Sequence, residues 1–92
     1  MLKFLAGLLD DTPKKEDKVG REQVGEYTID TLYCWDVDKY ETAVRKGSGN
    51  WVIVLRCETR ELAEKGHALW TAVCAGNPVG AYSVQFEEYV RF

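Results

Sequence analysis

The side chains able to do chemistry fall into one acidic run and a single histidine. Glu26, Asp30, Asp36, Asp38 and Glu41 lie within sixteen residues and are opposed there only by Lys39. Asp36-Val37-Asp38 followed by Glu41 offers oxygen ligands to a hard divalent cation, but the fifth position of an EF-type loop is Tyr40 and its turn-making Gly is missing. The same carboxylates suit an acidic face that meets a basic patch on a partner. A turn rich in Asp is also, ordinarily, just a solvated turn.

His67 is the only histidine of the chain. Its helical angle sets it at the boundary of an apolar stripe, one residue after Gly66. An imidazole there is either a general base or ligand, or a half-buried ring bonded to a carbonyl or carboxylate. Catalytic use needs a nucleophile or a second acid beside it. Cys74 and Glu41 are the candidates, and spacing alone does not bring either one to it. No G-x-S-x-G, no phosphate-cradling Gly loop and no paired Cys motif occurs, so no cofactor is implied and catalysis is not expected. Trp51 and Trp70 read as core residues, whereas Trp35, beside Asp36 at a strand end, can serve as an interface anchor.

Composition narrows the partners. A net charge of -3 and a pI near 5.1 disfavour nucleic acid, which calls for clustered Lys and Arg. Three widely spaced cysteines, Cys34, Cys57 and Cys74, fit reduced thiols better than disulfides or a zinc cluster. The apolar run Phe4–Leu9, followed at once by Asp10-Asp11, is too short for a signal sequence or a membrane span.

These side chains need elements to hold them, and 92 residues suit one domain. Residues 1–23 divide into an apolar tip, with Leu2, Leu5 and Leu9 on one side of a short helix, and a charged tether over residues 10–23. The folded domain is expected over residues 24–92. Alternation from Tyr27 to Trp35 predicts a first strand. Tyr40–Arg45 and Trp51–Cys57 flank a glycine-bearing turn, which predicts a hairpin, and the Trp51–Leu55 run is expected as the central strand. Thr59 suits an N-cap, with Glu61 in the first turn. Leu62, Gly66, Leu69, Trp70 and Val73 form the helix's apolar stripe, and Gly76-Asn77-Pro78 stops it. Alternation through Tyr82, Val84 and Phe86, then Val90 and Phe92, predicts one closing strand. The expected class is α+β: a small antiparallel sheet of about four strands with one helix on one face.

Asp30–Val44, Trp51–Val54 and Thr59–Trp70 together resemble a group of short uncharacterised bacteriophage and prophage proteins. The shared pattern is aromatic-Glu-Thr-x-Val, a strand, a Thr-led helix start, and Ala-x-x-Gly-His followed by an apolar residue. The resemblance implies a phage origin and points to Glu41, Thr42, Gly66 and His67; it implies no activity. Physically, the Glu41 carboxylate or the Thr42 hydroxyl can hold the His67 ring if Gly66 lets the helix approach the sheet, as a structural latch or as a site. The reading is a non-enzymatic protein-binding module, a minor virion component or a factor engaging a host protein, located in the host cytoplasm or the virion. Its candidate residues are Trp35, Asp36, Asp38, Glu41, Thr42 and His67, with neither nucleic acid nor membrane as target and homo-oligomerisation compatible. The alternative is a small metal-assisted enzyme using His67 and nearby carboxylates.

Overall fold

Tight turns make the sheet a meander. Gly25, at φ +57°, opens the two-residue connection between the first strands, a backbone region open to glycine at no steric cost. Gly47, at φ +58°, does the same in the third connection, where its N–H donates to the Glu26 carbonyl at 2.7 Å. Between them, Asp38 takes φ +54° at the end of the Trp35–Asp38 turn. The computed structural model describes residues 17–92. Its elements are β1 (Lys18–Val24), β2 (Tyr27–Cys34), β3 (Lys39–Lys46), β4 (Val52–Cys57), α1 (Arg60–Cys74), β5 (Gly80–Ser83) and β6 (Glu88–Arg91). β1 to β4 form one antiparallel sheet in sequential order, and β5 with β6 forms a separate hairpin. α1 packs against all four strands of the larger sheet. This is the α+β arrangement that the residue pattern predicts.

The helix starts as expected: the Thr59 hydroxyl accepts from the Leu62 N–H at 3.2 Å, and Glu61 occupies the first turn. Its phase is not the expected one. The buried positions are Ala63, Gly66, His67 and Cys74, while Leu62 and Leu69 stay in water at 50% and 58% exposure. Close approach to the sheet is the reason. A Cβ on Gly66 would run into Leu55 Cδ2, so the helix comes closest to the sheet at Gly66, and Leu62 and Leu69 turn away from that line.

Three further expectations are corrected. The tether does not extend through residue 23, because Lys18–Gln23 belongs to β1 and pairs with β2. β1 has little apolar content and is held by ionic side chains, which hydrophobic periodicity does not register. The Trp51 run yields β4, an outer strand of the sheet rather than a central one. It is apolar on both faces because Val52 and Val54 join the helix-side cluster, whereas Ile53 joins the cluster on the opposite face. The closing segment is a hairpin and not one strand: a turn at 84–87, with Glu87 at φ +58°, folds β6 back on β5. The short helix expected near residues 2–9 lies outside the described residues.

Two apolar clusters sandwich the sheet. Under the helix lie Tyr27, Ile29, Val44, Val52, Val54, Cys74 and Ala81, joined by Trp70 and Phe92. Leu32, Cys34, Ala43 and Ile53 form the other, with Val37, Trp51 and Val84 against them. No helix among the described residues is long and apolar enough to cross a membrane.

Candidate functional site

His67 is placed by four elements at once. α1 points the ring at the sheet, and β1 makes room for it at Gly20, where a Cβ would stand 2.9 Å from Nε2. His67 is 8% exposed. Nε2 lies 2.5 Å from Glu22 Oε1, and Nδ1 lies 2.7 Å from Thr31 Oγ1, which is itself 2.8 Å from Thr42 Oγ1. A carboxylate can only accept, so Nε2 carries a hydrogen; in the neutral ring Nδ1 then accepts from Thr31, and Thr42 donates to Thr31. The line of acid, imidazole and hydroxyl has the connectivity of a nucleophile relay. Thr31 is 0% exposed, however, so no substrate reaches its oxygen, and the arrangement acts as a latch between helix and sheet.

The opposite face carries a second polar set. Asp30 is fully buried, and its Oδ2 accepts from Arg21 Nη2 at 2.6 Å and from Lys18 Nζ at 3.2 Å. Residues 18 and 21 would point to opposite faces of a regular strand. The register shift between Lys18 and Gly20 rotates the strand so that both cations reach the same carboxylate. Further along, Glu41 accepts from Arg56 Nε at 2.5 Å and from the Cys34 thiol at 3.3 Å. Burial, reinforced by the Glu41 charge, pushes the Cys34 thiol far up, so it is not a ready nucleophile.

The expected site therefore separates into two places. Trp35, Asp36 and Asp38 lie exposed on the β2–β3 turn, where Tyr33 donates to the Asp38 carboxylate and Trp35 Nε1 donates to Asp17 at 3.3 Å. Glu41, Thr42 and His67 are buried. Glu41 and Thr42 are neighbours on β3 and face opposite ways. Thr42 joins the latch through Thr31, but the carboxylate on the ring is that of Glu22 and not of Glu41. Among the described residues no group of three His, Cys, Asp or Glu side chains converges as a metal site.

No family model, curated protein or solved structure matches this chain.

Gly20, Glu22 and Thr31 are the latch residues that sequence spacing misses. The signal that could have found Glu22 is Val24-Gly25-Glu26-Tyr27, a two-residue hairpin turn that turns the preceding residues into a paired strand. A second surface also escapes periodicity. Tyr82 and Tyr89 are cross-strand partners on the hairpin and point outward, opposite the inward pair Ala81 and Val90. With Val79 and Phe86 they make four large apolar residues more than half exposed between positions 79 and 89.

Proposed function

We propose that the chain is a phage-encoded, non-enzymatic protein-binding module, serving as a minor virion component or as a factor that engages a host protein. The observation that carries this reading is the outward aromatic pair of the closing hairpin, Tyr82 against Tyr89, in a segment where Val79 and Phe86 are also more than half exposed. Exposed apolar side chains grouped in this way mark interaction surfaces, and tyrosines are among the side chains that dominate binding energy. The groups that catalysis would need are turned inward and each is held by its own partner, Asp30 by Arg21, Glu41 by Arg56 and His67 by Glu22. The acidic net charge of -3 directs the module toward protein rather than nucleic acid. Self-association through the same face is compatible with it.

The test is capture from infected-cell lysate and from purified virions by tagged protein. A Tyr82→Ser/Tyr89→Ser variant should keep its fold, because outward substitutions cost within about 0.5 kcal/mol each, and should lose the partner that the parent retains. Retention of the same partner by a folded double variant would sink the reading. A metal-assisted enzyme is less well supported, because His67 and Glu41 lie on opposite sides of the sheet. A rise in melting temperature on titration with manganese, magnesium or zinc would revive it.

A further inference from the structure

A cleft of about 450 Å³ lies between the β3–β4 turn and the closing hairpin, within the ~300–1,000 Å³ usual for ligand sites. Arg45 and Trp51 line it, with the guanidinium carbon 4.7 Å from the centre of the indole ring. Val52, Phe86 and Val90 supply apolar wall, and Glu88 is the carboxylate of the lining. Arg45 joins no ion pair among the described residues. Two buried side-chain donors among those residues have no hydrogen-bond partner, Arg45 Nε and Trp51 Nε1, and both belong to this one cleft. Donors buried without acceptors are rare in folded proteins, and two of them at one cleft, one belonging to a cation outside every ion pair of the described residues, point to a site suited to an anionic acceptor.

Resting on the binding reading above, we propose that this cleft takes the free C-terminal carboxylate of a partner peptide whose last residue is apolar. The planar fork of Arg45 matches a carboxylate, and its contact with the Trp51 ring keeps guanidinium and indole side by side at the cleft. One carboxylate has lone pairs enough for the fork and for the indole N–H. The last side chain lies against Val52, Phe86 and Val90. A phosphate fits worse, because it would leave that wall unused and bring more negative charge toward Glu88. Both nitrogens lie under the cleft surface, so the acceptor reaches them through a local shift of the two side chains, and the Trp51 N–H reports its entry.

The probes are the tripeptide acetyl-Gly-Val-Leu as free acid and as C-terminal amide, followed by the indole N–H resonances in ¹H–¹⁵N spectra. Trp51 is assigned with a Trp51→Phe variant. The acid should move the Trp51 signal saturably, and the amide should bind about tenfold or more weakly. Arg45→Gln, with Arg45→Lys as the charge-preserving variant, should weaken the acid about tenfold to a hundredfold while the remaining spectrum stays native. Equal binding of acid and amide, or no Trp51 movement at about 10 mM peptide, where a 1 mM site would be nearly full, overturns the proposal. The Tyr82→Ser/Tyr89→Ser variant distinguishes the two claims. If it loses the captured partner while the acid fails to bind, the aromatic face stands and the cleft falls. If the acid binds and the double variant still holds its partner, the cleft stands and the aromatic face falls.

Discussion

Thr31 stands between two partners, and the cost of removing its hydroxyl measures how much of the latch lies in the dry interior. Thr31→Val keeps the shape but leaves His67 Nδ1 without its donor and Thr42 without its acceptor, a loss of about 1–3 kcal/mol. Glu22→Gln should cost less, below about 1 kcal/mol, because that side chain is 50% exposed and water can replace it. Urea unfolding at fixed slope orders the two, and a larger loss for Glu22→Gln would mean that the acid carries the latch. The cysteines make a separate point. Burial raises the thiols of Cys34, Cys57 and Cys74 above their ordinary value of 9.0. The folded state then holds protons that the unfolded chain releases, so stability from these groups is complete below pH 9 and falls as pH rises beyond it. Unfolding midpoints across the alkaline range should show that decline, and Cys34→Ala should reduce it.

At the scale of elements, the helix offers the sharpest comparison. Leu69→Ala should change stability by no more than about 0.5 kcal/mol, because Leu69 faces water. Trp70→Ala, which strips a ring from the helix-side core, should cost at least about 2 kcal/mol, and Thr59→Ala about 1 kcal/mol through loss of the cap. Thermal melts of the three variants would contradict this helix orientation if Leu69→Ala proved the most damaging. The cap, the length and the stop of this helix were legible in the residues, because each depends on local chemistry. Its rotation was not: scoring by hydrophobicity favours Leu62 and Leu69 over Ala63 and His67, whereas the close approach at Gly66 and the polar partners of His67 set the buried side. β1 was hidden for a related reason. Its side chains are tied down by Asp30 and His67, residues distant in sequence, and nothing local marks Arg21 or Glu22 as pinned. The Glu-Thr and Gly-His pairs did locate half of the latch, namely Thr42, Gly66 and His67.

For the molecule as a whole, β1 matters more than its composition suggests. It supplies both cations of the buried Asp30 and the carboxylate on His67. A chain beginning at Gly25 would bury Asp30 without a counter-ion at a cost of about 3–5 kcal/mol, a large share of the total of roughly 5–15 kcal/mol that a domain possesses. Circular dichroism of such a fragment should show an unfolded chain, and Asp30→Asn in the same fragment should recover part of the structure. A cooperative native melt for the unsubstituted fragment would contradict this account.

The borders of the sheet bear on how copies of the molecule meet. Strands at a margin invite a neighbour to continue the ladder, which is how open-ended aggregates grow. On β4 the outward Ile53 carbonyl is already engaged by the Val84 N–H at 2.9 Å, and on β1 the margin is irregular and studded with Lys18, Arg21 and Glu22. The hairpin contact on one margin and the charged irregularity on the other both work against a neighbouring copy extending the ladder, so growth of the sheet from molecule to molecule is disfavoured.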